Sequence, residues 1–374
     1  MNQVTTTASS RDLFLDCLKG FAIATVVLGH TSQGATPDFD HYLPFRIVYA
    51  FHMPMFMFVS GMTASLSVSR RLNTELNFSS YAYEIRSKAL RLLLPFVTWA
   101  AIQYYVVRPE GYSAATWLLH VIQFPDNGLW FLWILFQCSC VMALVSMAVQ
   151  YAWSLLAAKL PSGRSNSTIL CLILIVAGLV ANNSIRSLPN ASGLYLTKIH
   201  FIYFFAGVVF HITRPAGLPN NARWIPYVIF VALAPFWYRT ETSPVALLFR
   251  DPRLADSAYR YVVAFAGTLA FIDVVRLFTD RTAALVTHAA AYVGKRSLDI
   301  YAIHFYFLAY FPPVIAPIAI SLGASLLLRT NFVTSWLCLG QKPLNVWRII
   351  RDRFPPITSR RSGITDKAVM ISRE

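Results

Sequence analysis

The chain alternates long apolar runs with short polar segments. A helix that crosses a bilayer needs about 20 mainly apolar residues, and about ten runs approach that length. The pattern therefore predicts an all-α fold, a polytopic transmembrane helix bundle within a single membrane domain over residues 1–335. Proline either turns or breaks a helix, so Pro312 and Pro313 leave open where the last two spans divide. The predicted spans lie near 13–33, 45–67, 89–107, 128–150, 168–184, 197–213, 223–239, 258–278, 287–310 and 312–328.

The positions of the basic residues predict the orientation of these spans. With both termini inside, the cytoplasmic segments hold 24 of the 32 Lys and Arg residues, as the positive-inside rule requires. The first outside loop, residues 34–44, contains Asp38 and Asp40 and no Lys or Arg. Residues 336–374 are polar and basic, and we expect a cytoplasmic tail attracted to anionic lipid. The prediction is an N-in, C-in protein of the inner (plasma) membrane.

Composition and charge exclude several classes of protein. The chain is 56% hydrophobic and 13% charged, against roughly 25% charged in a soluble domain. A disordered chain, a coiled coil, a collagen and an ordinary cytosolic enzyme are therefore excluded. The net charge of +15 is divided among segments between the apolar runs, so we expect no nucleic-acid partner. The five cysteines include no C-x-x-C pair, and neither a disulfide framework nor a metal site is expected.

Ionisable side chains inside the first span are costly in a membrane and are therefore functional candidates. Asp16 and Lys19 lie one helical turn apart and can pair. Lys19 and His30 are separated by eleven residues, which places them about 20° from a common face with roughly 16 Å of rise between them. The alternative is that Lys19 extends to the cytoplasmic headgroups and His30 lies at the outer interface.

Two further segments carry polar groups in apolar surroundings. His52 lies just before Pro54, where the helix backbone can open beside it, although an interfacial histidine is an equal alternative. Ser297 and His304 are seven residues apart and share a helix face. Asp299 lies about 140° away from His304, so a Ser–His–Asp triad along this helix has poor geometry.

A basic run, Arg86, Lys88 and Arg91, lies at the cytoplasmic start of the third predicted span. Such groups suit a phosphate-bearing ligand that arrives from the cytoplasm. The alternative is an ordinary positive-inside anchor. The remaining histidines have no evident partner and are interpreted as loop or interface residues: His41, His120, His200, His211 and His288.

These residues resemble the motifs of the integral-membrane acyltransferase-3 family, in its branch of fucose 4-O-acetylase-like and exopolysaccharide O-acetyltransferases. Lys19 and His30 resemble the family's basic-x10-His signature, although much of the family has Arg at the position of Lys19. The resemblance runs from about Arg11 to His304. Five further segments resemble family motifs in the same order: Phe51–Gly61, Arg86–Pro95, Gly128–Leu132, Phe204–Gly207 and Gly294–His304.

The resemblance implies transfer of an acyl group, usually acetyl, from cytoplasmic acetyl-CoA to a sugar hydroxyl of a polysaccharide or its lipid-linked precursor. Acetyl-CoA is then a substrate, and no bound cofactor is expected. His30 is the implied general base, accompanied by Lys19 and Asp16. The implied donor-binding cations are Arg86, Lys88 and Arg91, and the candidate pocket residues are His52, Trp130, Ser297 and His304.

A transporter or flippase of a lipid-linked sugar is the competing hypothesis. It also explains about ten spans and charges within the membrane. It does not explain the ordered motifs, so acyl transfer is the favoured function.

Overall fold

The computed structural model describes residues 12–74, 76–157, 165–213, 222–310 and 313–341. Within these ranges the chain forms α-helices and short 3-10 turns, without a β-strand, which confirms the all-α prediction. The α-helices are α1 Leu13–Gln33, α2 Leu43–Tyr49, α3 His52–Leu72, α4 Phe78–Val107, α5 Ala114–Gln123, α6 Trp130–Ala157, α7 Ser165–Ser187, α8 Leu194–Thr213, α9 Ile225–Leu233, α10 Pro252–Arg281, α11 Ala284–Lys295, α12 Ser297–Ile303, α13 Ile315–Leu328 and α14 Phe332–Leu339.

Seven apolar segments of the described chain are long enough to cross a membrane. They coincide with the first six predicted spans and with the predicted span 258–278. They are Leu13–Gln33, Leu43–Leu72, Phe78–Val107, Trp130–Leu156, Ser167–Ser187, Leu194–Thr213 and Pro252–Arg281.

The other three predicted spans are shorter or interrupted. The span predicted at 223–239 becomes α9 and a 3-10 turn, because Pro235 lacks the N–H that would continue the helix. The span predicted at 287–310 is divided into α11 and α12, since Arg296 leaves helical geometry at φ −113° and ψ 13°. The span predicted at 312–328 corresponds to the 14-residue helix α13. The count of ten and the orientation of the termini stay predictions, and most of the predicted tail 336–374 lies outside the described residues.

Side-chain caps set where several helices begin. Asp12 accepts a hydrogen bond from the N–H of Leu15 at 3.1 Å and starts α1. Asn77 and Asp251 cap α4 and α10 in the same way. Each cap satisfies a backbone donor that the helix itself leaves unpaired. The cap on α1 fixes the first turn of the helix that carries the Lys19 and His30 signature.

Glycines bring α3 and α8 into backbone contact. A Cβ atom at Gly61 would overlap the carbonyl oxygen of Phe204, and one at Gly207 would overlap that of Phe58. Small residues at helix interfaces allow this close approach. Lipid is as apolar as the helix surfaces, so in a membrane van der Waals packing between the helices drives their association. Both glycines belong to motifs of the sequence analysis, and their role here is to hold two helices together.

Backbone contact at glycines also joins α1 to α11. A Cβ at Gly20 would overlap the carbonyl oxygen of Ala290, and one at Gly294 would overlap that of Asp16. The contact fixes the position of α1 against the segment that continues into α12.

A buried ion pair anchors α12 to α13. Asp299 is 1% exposed and accepts hydrogen bonds from Ser325 Oγ at 2.6 Å, Arg329 Nη2 at 2.6 Å and Gln341 Nε2 at 3.0 Å. Arg329 Nη2 also donates to Gln341 Oε1 at 2.7 Å. Since its oxygens are taken by these donors, Asp299 is a structural carboxylate. From the sequence, Arg329 contributes only to the count of cytoplasmic basic residues, and no pattern predicts its pairing with Asp299.

We predict that Gly207→Ala destabilises the protein, although alanine is the better helix former. The added methyl group meets backbone, and overpacking of this kind costs about 1–3 kcal/mol. Gly323→Ala is the matched control, because Gly323 lies within α13 with open space around it. The measurement is the melting temperature of the detergent-solubilised protein. Equal behaviour of the two variants would contradict tight α3–α8 packing.

Removal of Arg329 should leave the carboxylate of Asp299 buried without its charged partner. Breaking such a pair typically costs about 3–5 kcal/mol, so Arg329→Met should strongly lower thermal stability. Arg223→Met provides the control, because the Arg223–Asp273 pair is partly exposed, with 39% of the Arg223 side chain accessible, and its removal should change stability little. A similar loss of stability in both variants would show that the buried network has no special weight.

Candidate active site

The candidate residues are distributed over two cavities. The cationic cavity is lined by Lys19, Lys88, Arg91, Lys295, Ser297 and Gln341, with apolar side chains from α3 and α6. The histidine cavity has a volume of about 540 Å³. It is lined by His30, Tyr49, His52, Trp130, His200 and Arg239, with further aromatic side chains.

The cationic cavity brings together four basic side chains from three helices. Lys19 of α1 is held by Asp16, whose Oδ1 accepts from its Nζ at 3.3 Å, as the sequence predicts. Lys88 and Arg91 come from α4, and Lys295 from the end of α11. Basic groups converging in one concave site attract and bind phosphate.

Two observations refine the predicted donor-binding set. Arg86 is exposed and does not line the cationic cavity, whereas its neighbours Lys88 and Arg91 do. Lys295, which the sequence predicts only as part of a motif, does line it.

Gly340 turns against the backbone of Arg91 with φ +60°, and the next residue, Gln341, joins the cavity wall to the Asp299 network. The C-terminal helices thereby complete this cavity.

One ring nitrogen of His30, Nδ1, lies against the hydroxyl of Tyr49. The hydroxyl of Tyr49 donates to Gln33 Oε1 at 2.6 Å, and its oxygen lies 3.4 Å from His30 Nδ1. Because the hydroxyl proton is committed to Gln33, we assign the imidazole proton to Nδ1, which donates to Tyr49. The lone pair is then on Nε2, the arrangement that a general base needs. His30 is half-buried and lines the cavity.

His52 and His304 are fixed differently, by backbone carbonyl groups one turn earlier. His52 Nδ1 lies 3.0 Å from the oxygen of Val48, and His304 Nδ1 lies 3.0 Å from that of Ile300. A carbonyl oxygen only accepts, so Nδ1 carries the proton in both rings. The ring of His304 lies 5.4 Å from that of His30 and is fully buried. His30 is therefore the more accessible of this adjacent pair.

Aromatic side chains form the walls of the histidine cavity. The rings of Trp130 and His200 stack at 5.0 Å, and those of Tyr49 and Trp237 lie 6.3 Å apart. The interpretation of His200 as a loop or interface residue is wrong, since it is 8% exposed and lines this cavity. Its helix, α8, is apolar on all sides, so the sequence could not indicate which face turns inward.

Three aromatic rings in mutual contact extend from the lining of one cavity to the lining of the other. Phe56 lines the cationic cavity, and Tyr301 lines the histidine cavity. Phe131 lies between them, 4.6 Å from the ring of Phe56 and 5.2 Å from that of Tyr301. The backbone N–H of Phe131 donates to the hydroxyl of Tyr301 at 3.2 Å. We call these three buried residues the aromatic plug.

The predicted site residues lie on different sides of the aromatic plug. Lys19 and Ser297 lie on the cationic side, with Asp16 buried beneath Lys19, whereas His30 lies on the other side. Among the described residues no group of three His, Cys, Asp or Glu side chains is arranged to hold a metal ion.

A buried carboxylate holds the segment that carries Arg239, a residue on the lining of the histidine cavity. Asp40 accepts from the backbone N–H groups of Arg239 at 2.6 Å and Thr240 at 2.8 Å, and from the hydroxyl of Thr240. Burial alone would raise the pKa of Asp40, but these hydrogen bonds outweigh it and hold the pKa below its ordinary value. The contact ties the segment after α1 to the segment after α9 and sets the position of Arg239.

Comparison with known proteins identifies relatives of this architecture. Nodulation protein NolL of Sinorhizobium fredii (strain NBRC 101917 / NGR234) is 35% identical over 99 residues, which is 25% of each chain. Nodulation protein NolL of Mesorhizobium japonicum (strain LMG 29417 / CECT 9101 / MAFF 303099) is 30% identical over 136 residues, 34% of each chain. The alignments thus span a quarter to a third of these curated relatives. No solved structure matches.

The family comparison covers far more of the chain. The acyltransferase domain of the acyltransferase-3 family matches residues 12–340. This range includes the histidine cavity, the aromatic plug, the motifs from Lys19 to His304 and the lining of the cationic cavity apart from Gln341. The protein therefore belongs to the acyltransferase-3 family of membrane proteins.

Proposed function

We propose that the protein transfers an acyl group, most simply acetyl, from acetyl-CoA to a hydroxyl of a cell-surface polysaccharide or its lipid-linked precursor. The observation that carries the proposal is the pairing of a cationic cavity with a cavity that presents an oriented histidine, within an acyltransferase fold. The saccharide acceptor is the one that the resemblance of the sequence motifs implies.

The cationic cavity binds the donor in this proposal. Coenzyme A carries a pyrophosphate and a 3′-phosphate, and Lys19, Lys88, Arg91 and Lys295 supply the positive charge that these groups need. The thioester arm then extends toward the aromatic plug, whose rings must turn aside for it to reach His30.

The histidine cavity performs the transfer. His30 Nε2 removes the proton from the acceptor hydroxyl as its oxygen attacks the thioester carbonyl. The tetrahedral intermediate collapses by breaking the carbon–sulfur bond, and His30 returns the proton to the departing thiolate. The products are an ester and free coenzyme A. Tyr49 keeps the imidazole oriented throughout, because its oxygen accepts from Nδ1.

Membrane sidedness completes the proposal. With ten spans in the inner (plasma) membrane and both termini inside, the end of α1 that carries Lys19 faces the cytoplasm. The cationic cavity then opens toward acetyl-CoA, and the histidine cavity faces outward, where the loop 34–44 is acidic. Membrane lipid surrounds the bundle in this arrangement.

A flippase or transporter of a lipid-linked sugar is the alternative. Two cavities separated by a plug would also suit alternating access. The fixed tautomer of His30 and membership of an acyltransferase family favour transfer.

The donor site can be tested with charge-removing variants. Lys88→Gln and Arg91→Gln should each raise the KM for acetyl-CoA roughly tenfold or more, because each removes a charge-assisted contact, while Arg86→Gln should have little effect. The measurement is initial rate against acetyl-CoA concentration, repeated with acetyl-dephospho-CoA. Unchanged donor KM values for both cavity variants would reduce the cluster to a topological anchor, whereas an equal effect of Arg86→Gln would restore the whole basic run as the donor site.

The catalytic assignment can be tested on purified protein with acetyl-CoA and glycan from cells that lack this chain. Thiol release and ester formation should match, and His30→Ala should lower both by a factor on the order of 10²–10⁴. His288→Ala, at an exposed histidine, should not. Full activity of His30→Ala would move the base to His52 or His304. Movement of glycan across vesicles without thiol release would establish the transporter instead.

A further inference from the structure

Arg239 is an exposed arginine on the lining of the histidine cavity. Its backbone N–H is fixed by the buried carboxylate of Asp40, as described above. Its guanidinium lies 5.8 Å from the centre of the Tyr49 ring. Both oxygens of Asp40 are already engaged by Arg239 N–H and Thr240, and in the described chain no carboxylate forms an ion pair with the Arg239 side chain.

A second arginine of the same cavity shows the contrast. Arg260 Nε donates to Asp256 Oδ2 at 2.6 Å, and its Nη2 donates to the backbone oxygen of Glu241 at 3.0 Å. Its charge is thus compensated by the protein. Asp126, the carboxylate on the cavity lining, accepts from Tyr195 at 2.5 Å. Asp40 thus fixes the backbone of Arg239, whose guanidinium lies near the Tyr49 ring and presents five donors that can bind a ligand.

Tyr49 connects this cation to the reacting group. Its hydroxyl contacts His30, and its ring lies beneath the guanidinium of Arg239. Trp237 lies 6.3 Å from the same ring and supplies an aromatic wall. A single saccharide unit can therefore offer a hydroxyl to His30 and an anionic substituent to Arg239 while it lies on aromatic surface.

We propose that the acceptor is an anionic saccharide, and that Arg239 binds its carboxylate or phosphate group and so positions the hydroxyl at His30. The inference rests on the proposed acyl transfer and adds the chemical class of the acceptor. Arginine forms bidentate hydrogen bonds to either group, so the two anions share one recognition chemistry. Asp40 acts as a positioning residue, because it holds the segment that carries Arg239.

The experiment combines variants with chemically altered glycan. The acceptor is deacylated glycan from cells that lack this chain, used untreated, after reduction of its carboxyl groups to alcohols, or after removal of its phosphate. Acyl transfer is measured for the original chain, Arg239→Gln and Arg239→Lys. The control is Arg253→Gln, at an exposed arginine in the first turn of α10 that does not line the cavity.

Loss of the anion or of Arg239 should each lower kcat/KM for the glycan roughly ten- to hundredfold, mainly through KM. The two losses together should cost little more than either alone, because they remove one interaction from its two ends. The treatment that abolishes the effect of Arg239→Gln distinguishes carboxylate from phosphate. Arg239→Lys should retain part of the affinity, and Arg253→Gln all of it.

Several results would overturn the inference. Undiminished transfer to glycan freed of both anions would do so, as would Arg239→Gln losses that multiply with those of the treatments. The effect of Arg239→Gln is also measured in nanodiscs of anionic and of zwitterionic phospholipid. If the variant loses activity only in anionic nanodiscs, Arg239 binds the membrane surface and not the acceptor. Absence of any thiol release or ester formation by the original chain would reject the proposed acyl transfer itself.

Discussion

Close backbone contact at glycine is the constraint on which this helix bundle depends. In lipid, helices gain little from hiding apolar surface, so packing must supply the specificity. Gly61 and Gly207 join α3 to α8, and Gly20 and Gly294 join α1 to α11. These contacts fix where α1 and α3 lie, and therefore where His30 and His52 are presented. A methyl group at any of these positions would meet backbone, which cannot move aside as a side chain can.

Interrupted helices carry much of the polar chemistry. The backbone leaves helical geometry at Phe51, just before His52, and at Arg296, just before Ser297. Irregular backbone at membrane depth is tolerated where protein or a cavity surrounds it, and both interruptions lie beside cavities. His52 and His304 use carbonyl groups of the preceding turn to fix their rings. Helix interruption and histidine orientation are thus parts of one arrangement.

Local patterns in the sequence predict local features well. Seven of the ten spans predicted from the apolar runs coincide with long apolar helices, and the spacing of Asp16 and Lys19 predicts their hydrogen bond. The sequence does not indicate the Asp299–Arg329 pair, whose partners are 30 residues apart, or the contact that holds Arg239 against Asp40 across 199 residues. His200 is missed for another reason, because an apolar helix gives no facial signal. Pairings between distant segments require the fold itself.

In the proposed reaction, the position of Lys19 and His30 on one helix relates the two cavities to each other. Helix α1 runs unbroken between these residues, so their separation along its axis is set at roughly 16 Å by helical rise rather than by flexible loops. A donor whose phosphates bind at Lys19 must therefore present its reactive carbon at the end of a long, thin arm. An extended thioester arm can meet that requirement, and the rings of Phe56, Phe131 and Tyr301 lie in contact between the linings of the two cavities. In the proposed reaction, the basic-x10-His spacing sets the distance between the charge that binds the donor and the catalytic base.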